Sequence, residues 1–584
     1  MTHTFADRIV LQNRLFAELS RTFGIEVPLY DRALLVNRAT NQAVCEAISK
    51  LHRGFHITAE QLERTSGERH GAIRIGRPDE FRWVSRFFGA FGMEPHNFYD
   101  MTAIGPKSQP IIATAFRSVL RPEHRVFTSL LMTDYYDPAT RARIDALLAK
   151  RTVFSDRAKE LIERCERQGG LSTEDGEALV REGVERIFKW TGAARDIGLY
   201  KDLCDAGFKI AADIACVENH HLNHLTPNTL LMDLYTTSMK HCLGELDETA
   251  FRLRATLALT RLAAVADHDW MRLHFKHVSH SEMDSYQRGI VTAADITALV
   301  SGLVTTFRGE TFQLQKLNHA GFNDFTEGPP EGTPILLRQD AYKALTEPVT
   351  FTQEDGSTVA ATHTARFGEI EERFYACTPK GREMYDQCLA QADAARDKDP
   401  KLPKRDFAAY EALYAAPFAR FPKTLPELIA RDLVFARFEP TAAGIAAAQI
   451  GAVTSTDMME LIRHGYVQYE GLRYEDFLPV SAAGIFASNL NQYGTKSTAA
   501  VKPTYTQKQL EDIMGRPIIN ATTVYAGIDA ASRMDTYAKL GLLERLPAGE
   551  RERMLGAVAL AERTVESLRI PAGIHERRSG QAGA

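Results

Sequence analysis

The chain has 584 residues, of which 44% are hydrophobic and 25% charged, and its formal net charge is −5. This length exceeds one ordinary hydrophobic core, so we expect a globular protein of two or more packed lobes. The negative charge and the lack of long basic runs argue against nucleic-acid and anionic-membrane partners. No apolar stretch is long enough for a spanning helix, and the first ten residues lack the apolar core of a secretory signal. Seven cysteines without a Cys-x-x-Cys pair are typical of a reducing cytoplasm.

The first third of the chain predicts helices that alternate with short strands. Apolar residues at helical spacing predict a first helix that is capped by Gly24. Pro78 opens another helix with a stripe of phenylalanines, and the preceding residues 69–76 alternate like a half-buried strand. Two further helical stretches are predicted at 138–167 and 173–189.

The middle of the chain changes in character. Residues 214–218 predict a strand that enters a turn rich in Asn and Pro. Residues 231–312 are helical in pattern and hold five histidines, so we expect an all-α insertion between two strand-bearing segments. The remaining predicted elements are strands at 334–338 and 365–370, a helix at 379–396, a solvated linker at 398–404 and a mostly helical lobe after it.

Three short segments carry side chains suited to chemistry. In the first, ERHGAIR, a strand would place His70, Ala72 and Arg74 on one face. The outer two positions would lie about 13 Å apart. A metal on His70 and the guanidinium of Arg74 could therefore bracket a ligand with a carboxylate at each end. The alternative is a surface strand with a partly exposed histidine and a solvated arginine.

The second segment, ENHHLNHLTP, crowds His220, His221 and His224 into five positions. Imidazole is the commonest protein ligand for zinc and iron. The Asn, Thr and Pro residues make a continuing helix unfavourable, so at most one or two of the three histidines should bind the same metal. The alternative is a polar turn in which the imidazoles are hydrogen-bonded.

The third segment, HTARFGEIEE, places Glu369 and Glu371 on one strand face and Glu372 on the other, and Gly368 leaves room for a ligand. A charged edge strand is the alternative. Two histidines and one carboxylate from separate strands form the ligand set of non-haem iron(II) oxygenases. The same set holds catalytic zinc, and composition does not separate the two metals.

At these residues the chain resembles the 2-oxoadipate dioxygenase/decarboxylase family of bacterial lysine breakdown, also called D-2-hydroxyglutarate synthase. The resemblance runs from about residue 5 to residue 530, and most of 231–312 lies outside it. The shared motifs, in chain order, are ERHGAIRIG (68–76), VFTSLL (126–131), NHLTPNTL (223–230), PILLRQ (334–339), HTARFGEIE (363–371), TPKGR (378–382) and YEDFLPVSAAGIF (474–486).

The resemblance implies an α+β fold, in which a central β-sheet core related to the vicinal oxygen chelate enzymes carries extensive helical additions. It implies Fe(II) as the cofactor, held by the catalytic residues His70, His224 and Glu369. Arg74 corresponds to the arginine that binds the substrate carboxylate. The implied substrate contacts are His70, Arg74, His224, Val480 and Ser481.

The resulting domain division follows the motifs. It comprises an N-terminal α+β part with metal ligands at 1–230, the helical insertion at 231–312, a second β segment with the carboxylate ligand at 313–397, a mostly helical lobe at 398–576 with a substrate loop at 474–486, and a disordered tail at 577–584.

The implied activity converts 2-oxoadipate and O2 to 2-hydroxyglutarate and CO2 in the cytoplasm, so the partners are a small 2-oxo dicarboxylic acid and O2. Two alternatives stay open. One is a zinc-dependent hydrolase on the same ligands. The other is a non-catalytic, metal-stabilised scaffold whose insertion binds a partner protein, and it predicts an exposed apolar stripe along 253–265. The sequence leaves the oligomeric state open.

Overall fold

The protein is represented by a computed structural model that describes residues 5–67, 69–104, 108–119, 121–323, 325–478 and 496–566. Val480, Ser481 and the predicted tail at 577–584 lie outside the described residues. No helix within these ranges is both long and apolar enough to cross a membrane.

Helices make up most of the described chain. Up to residue 216 they are α1 (Arg8–Glu26), α2 (Pro28–Leu51), α3 (Ala59–Ser66), α4 (Pro78–Ala90), α5 (Pro138–Leu148), α6 (Asp156–Gln168), α7 (Thr173–Glu182), α8 (Ile197–Asp205) and α9 (Lys209–Cys216). Residues 231–312 contain α10 (Met232–Cys242), α11 (Glu248–Val265), α12 (His268–His274), α13 (His280–Ser285) and α14 (Ala293–Phe307). The later helices are α15 (Pro379–Arg396), α16 (Leu402–Arg405), α17 (Phe407–Ala415), α18 (Leu425–Ala430), α19 (Ala442–Gln449), α20 (Met458–Arg463), α21 (Gln507–Met514), α22 (Ala521–Lys539) and α23 (Ala548–Glu566).

A five-stranded sheet forms the centre of the fold. The strands, in chain order, are β1 (His52–Arg53), β2 (Arg69–Ile75), β3 (Glu94–Asp100), β4 (Ile111–Arg117), β5 (His124–Leu131), β6 (Ala193–Arg195), β7 (Leu222–Pro227), β8 (Gln287–Arg288), β9 (Leu337–Tyr342), β10 (Thr346–Thr352), β11 (Thr358–Thr364), β12 (Gly368–Arg373), β13 (Ala436–Pro440) and β14 (Val467–Gly471). The central order is β3-β4-β5-β2-β7, in which only the β2–β5 pair is parallel.

The antiparallel pair β9–β12 extends this sheet beyond β7. Phe367 N donates to Asn223 O at 3.1 Å, and Thr229 N donates to Glu371 O at 2.8 Å. Strands β2, β7 and β12 are therefore neighbours, and every residue of each is buried. The predicted α+β fold, with a sheet core and helical additions, is confirmed.

The prediction around β7 is wrong in its local structure. Residues 214–218, predicted as a strand, contain the end of α9, and the predicted turn contains β7. Strand β7 can hold polar residues because several of them meet buried partners: Asn223 Nδ2 donates to Asp213 Oδ2 at 3.1 Å, and Thr226 Oγ1 donates to Glu369 Oε2 at 2.9 Å. Such tertiary contacts outweigh the weak strand propensity of these residues. Pro227 stands at the end of the strand, where a missing N–H costs little.

Other boundaries differ for equally local reasons. Helix α1 continues past Gly24, because Val27 N still donates to Phe23 O at 2.8 Å and Pro28 then opens α2. Strand β2 is buried along its whole length and not half-buried, because it lies inside the sheet. The strands predicted at 334–338 and 365–370 begin later, at the starts of β9 and β12, and β10 and β11 were not predicted. The predicted linker at 398–404 runs into the short helix α16.

The segment 231–312 is helical apart from the short strand β8. Helices α10, α11 and α14 pack against α2 of the N-terminal part. Leu259 and Leu262 of α11 are buried, whereas Leu253, Leu257 and Val265 are exposed by 63%, 47% and 43%. The exposed stripe that the scaffold alternative predicts is therefore present. A measurement of activity is needed to distinguish that alternative from an enzyme.

Candidate metal centre

The three predicted ligands meet on adjacent strands of the central sheet. His70 lies on β2, His224 on β7 and Glu369 on β12. His70 Nε2 lies 3.3 Å from His224 Nε2 and 3.3 Å from Glu369 Oε2, and the last two atoms are 3.4 Å apart. All three side chains are fully buried.

The spacing of these three atoms suits coordination of a metal ion. A triangle with such sides has its corners about 1.9 Å from its centre, which is close to a metal–nitrogen bond length. Among the described residues, His224 Nδ1 and Glu369 Oε1 have no hydrogen-bond partner. Buried polar atoms without a partner are costly, and a cation on the Glu369 carboxylate would offset that cost at Oε1, whereas His224 Nδ1 is not the ring nitrogen that faces the centre. The donor set of two imidazoles and one carboxylate suits iron(II) or zinc.

Glu371 fixes the proton of His70. Its Oε2 accepts a hydrogen bond from His70 Nδ1 at 2.8 Å, so the lone pair of the ring lies on Nε2, toward the other two ligands. Burial lowers the pKa of His70, but Glu371 and Glu369 outweigh burial and raise that pKa above its ordinary value. The two carboxylates therefore favour a positive charge at this point, carried by a proton or by a metal.

Glu371 is itself held by two buried arginines. Arg125 Nη1 donates to its Oε1 at 2.9 Å, and Arg373 donates to both carboxylate oxygens at 2.8 Å. Burial raises the pKa of Glu371, but Arg373, His70 and Arg125 outweigh burial and hold that pKa well below its ordinary range. The carboxylate beside His70 thus stays ionised.

The other two ligands are also prepared for a cation. Thr226 Oγ1 and Gln339 Nε2 donate to Glu369 Oε2 at 2.9 and 3.4 Å. Burial raises the pKa of Glu369, although His70 lowers it in part. Burial, together with the charges of His70 and Arg74, holds the pKa of His224 well below its ordinary value. His224 is therefore neutral, which is the form that binds metals.

Aromatic rings shield the centre from water. Phe477 stands edge-on to His70 with ring centroids 4.6 Å apart, and Phe367 lies 4.9 Å from His224. The room that Gly368 leaves is filled by the ring of Tyr342, into which a Cβ at position 368 would run. The expectation that Gly368 makes space for a ligand is therefore wrong.

The neighbouring histidines do not join the centre. His220 Nε2 lies 3.0 Å from Glu80 Oε2, and His221 Nε2 lies 3.3 Å from Asp213 Oδ1. Of the three crowded histidines, only His224 faces His70. The metal-binding roles of His70, His224 and Glu369 remain a prediction that this geometry favours.

Arg74 is buried on β2, and its Nη1 donates to Asp213 Oδ2 at 2.7 Å. Asp213 also belongs to a second group of close ligand-type side chains, with His221 and His363. This group was not predicted from the sequence: Asp213 lies on α9, which was not predicted as a helix, and no local pattern connects it with His221 and His363. The role of Glu371 was not predicted either, although its spacing of two residues from Glu369 on one strand face was the available signal.

Comparisons with known proteins identify the family of this chain. The sequence profile of the 2-oxoadipate dioxygenase/decarboxylase family matches residues 15–246 and 305–489. The 2-oxoadipate dioxygenase/decarboxylase of Pseudomonas putida is 33% identical over 519 residues, which cover 87% of this chain and 92% of that protein. The corresponding protein of Escherichia coli is 31% identical over 88% of this chain and 95% of its own length.

Two solved structures share the fold over nearly the whole chain. The hydroxyglutarate synthase of P. putida in complex with 2-oxoadipate has a TM-score of 0.62 and 31% identity, and covers 92% of this chain and 99% of that one. The protein YdcJ of Shigella flexneri has a TM-score of 0.64 and 26% identity, and covers 91% and 99%. The chain belongs to the 2-oxoadipate dioxygenase/decarboxylase family.

Proposed function

We propose that this protein is an iron(II)-dependent enzyme of lysine breakdown that converts 2-oxoadipate and O2 to 2-hydroxyglutarate and CO2. The substrate is both the reductant and the target: its 1-carboxylate leaves as CO2, and one O2 supplies one oxygen atom to the new carboxylate at the former 2-oxo carbon and one to the new hydroxyl group. The supporting observation is the buried triangle of His70 Nε2, His224 Nε2 and Glu369 Oε2, with sides of 3.3–3.4 Å, in a chain of this family. Iron(II) held there would supply the electrons for O2 activation and the open positions for a chelating 2-oxo acid.

The protein orients the metal ligands, sets the charge of the site and excludes water from it. Glu371 keeps the proton on His70 Nδ1, and Thr226 and Gln339 fix the Glu369 carboxylate. One glutamate on a divalent ion leaves one net positive charge for an anionic 2-oxo acid. The rings of Phe477 and Phe367 exclude water from the histidines.

Arg74 is proposed to bind the distal carboxylate of 2-oxoadipate. It stands four residues from His70 on one face of β2, about 13 Å along the strand. A relative binds 2-oxoadipate in its solved structure, and a planar guanidinium suits a carboxylate.

The deciding experiment combines metal analysis with oxygen uptake. Protein purified without a nickel column is assayed for bound metal and, in an oxygen electrode, against 2-oxoadipate, 2-oxoglutarate and 2-oxohexanoate. We expect about one iron per chain, and equal amounts of O2 consumed and CO2 released with 2-oxoadipate. Bound zinc, with no oxygen uptake on any 2-oxo acid, would refute the proposal and favour the hydrolase.

His224→Gln and His220→Gln form a matched pair for this assay. Both histidines are buried on one short segment, but only His224 faces His70. His224→Gln should lose the metal and turnover, whereas His220→Gln retains a donor for Glu80 and should keep both. An equal loss in the two variants would show that the wrong histidine has been assigned.

A further inference from the structure

A second group of two histidines and one carboxylate lies beside the metal centre. His363 Nε2 lies 2.9 Å, and His221 Nε2 3.3 Å, from Asp213 Oδ1. The other carboxylate oxygen, Oδ2, accepts from Arg74 Nη1 at 2.7 Å and from Asn223 Nδ2 at 3.1 Å. All five side chains are buried.

This group differs from the metal centre in that both ring nitrogens of His221 and His363 and both carboxylate oxygens of Asp213 have partners. His363 Nδ1 lies 2.8 Å from the hydroxyl of Tyr200, and His221 Nδ1 lies 3.3 Å from Asn219 O. Both Asp213 oxygens have donors, and the guanidinium already supplies the positive charge that a metal would bring. By contrast, His224 and Glu369 each have an atom without a partner among the described residues. The second group is therefore a closed ion-pair network.

The network contacts residues next to the metal ligands and also Arg74, the residue proposed to bind the distal carboxylate. Asn223, which donates to Asp213, directly precedes the ligand His224 on β7. Arg74, which also donates to Asp213, shares β2 with the ligand His70. In the register of these strands Ala72 lies opposite His224, so the ion pair is anchored next to the metal ligands.

We propose that Asp213, held by His221, His363 and Asn223, is the positioning residue of Arg74 and so sets the distance between the metal centre and the bound distal carboxylate. This inference rests on the proposed function. An arginine side chain is long and flexible, and a free guanidinium would have to be ordered each time a substrate binds. The bond from Nη1 to Asp213 fixes the group beforehand and leaves its other nitrogens for the substrate.

Packing around the histidines supports a rigid network. The ring of Trp190 stacks on His363 with centroids 5.6 Å apart and stands edge-on to His221 at 4.7 Å. The guanidinium of Arg366 covers Trp190 at 4.8 Å. The histidines therefore have little freedom to turn away from Asp213.

The test is a comparison of two substrates on Asp213→Asn. This variant keeps the shape but removes the charge that holds Arg74. A misplacement of about 1 Å costs on the order of 100-fold in rate, so we expect kcat/KM for 2-oxoadipate to fall at least about tenfold, chiefly through KM. Turnover of 2-oxohexanoate, which lacks the distal carboxylate, should change far less. A merely structural role for Asp213 would lower both substrates together.

His220→Gln serves as the control. It alters a buried histidine that lies 3.0 Å from a carboxylate paired with an arginine, Glu80 with Arg151, away from Arg74. Its substrate ratio should stay at the wild-type value. If Asp213→Asn does not fold, His363→Gln replaces it, because glutamine can still donate to Asp213 but cannot also accept from Tyr200. That variant should show a smaller fall in the same ratio.

The outcomes are distinguishable. Suppose that wild type turns over 2-oxoadipate but Asp213→Asn leaves the kcat/KM ratio of 2-oxoadipate to 2-oxohexanoate unchanged. The inference is then overturned and the proposed function stands. If Asp213→Asn does not fold, the same result in His363→Gln has the same meaning. If metal analysis finds two ions per chain and His363→Gln loses one of them, the network is a second metal site and the inference is again overturned. If wild type consumes no O2 with any 2-oxo acid, both the proposed function and the inference fail.

Discussion

Glu371→Gln removes the charge of the carboxylate that orients His70 and keeps its size. A glutamine oxygen can still accept from His70 Nδ1, but its NH2 group would then face the guanidinium groups of both Arg125 and Arg373. Loss of a carboxylate partner behind a metal-binding histidine lowers metal affinity on the order of 10- to 100-fold. We therefore expect metal binding weakened to that extent, with His70 itself unchanged.

The same substitution also has a cost in folding. Arg125 keeps its ion pair with Glu475 at 2.7 Å, and Arg373 keeps the carbonyl oxygens of Tyr474 and Asp476. Both guanidinium groups nevertheless lose a buried carboxylate, and breaking a buried pair costs about 3–5 kcal/mol. Because the remaining partners compensate in part, we expect the free energy of unfolding to fall by an amount at the lower end of that range.

Two measurements separate these effects. Metal affinity is obtained by competition with a chromogenic chelator, and the free energy of unfolding is obtained by denaturant titration of metal-free protein. Glu372→Gln is the matched control, because Glu372 is a buried neighbour that accepts from Met232 N at 2.9 Å and does not contact His70. Equal loss of metal affinity in the two variants would refute the reasoning, because the effect would then be one of stability alone.

Three further outcomes are expected. Arg74→Ala should lower the kcat/KM ratio of 2-oxoadipate to 2-oxohexanoate about tenfold or more, because a hydrogen bond to a charged group is worth about 1.5–3 kcal/mol; an unchanged ratio means that Arg74 does not bind the distal carboxylate. In the insertion, Lys276→Met should raise the KM for 2-oxoadipate modestly. Single Gln variants of the five insertion histidines should keep a full complement of metal. These histidines are His241, His268, His274, His277 and His280. Burial raises the pKa of Glu94 from 4.5 to about 7, so the folded state binds the extra proton and the free energy of unfolding should fall by about 3 kcal/mol as pH rises from 4.5 to 7. Burial also raises the pKa of Asp340 to about 7, so denaturant titrations at pH 5 and 8 should show a fall in both proteins that is smaller in Glu94→Gln than in wild type by about the Glu94 contribution.

The site could be predicted where strand periodicity alone decides it. Alternate residues of a strand share a face, so Glu369 and Glu371 were expected to point the same way, and both contact His70. The helix that begins at Pro78 was predicted as it stands, because a proline start and a phenylalanine stripe are both local signals.

The rest depends on contacts between distant parts of the chain. Strand β7 is buried along its length and carries Asn, His, Thr and Pro, so it shows neither the alternation nor the composition of a strand. Its polar side chains are stable only because Asp213 and Glu369 meet them in the folded protein. Asp213 lies 139 residues from Arg74, and no local pattern links the two.

The insertion is predicted to hold no metal ligand, but a series of ion pairs connects it to the metal centre. Lys276 lies in residues 247–304, which fall between the two stretches matched by the family profile. Its Nζ lies 3.1 Å from Glu475, which pairs with Arg125, which in turn pairs with the Glu371 that orients His70. Because each carboxylate in this series is buried, charges along it are poorly screened and each pair depends on the next. Lys276 therefore connects the insertion to the site through Glu475, in the segment that begins the predicted substrate loop.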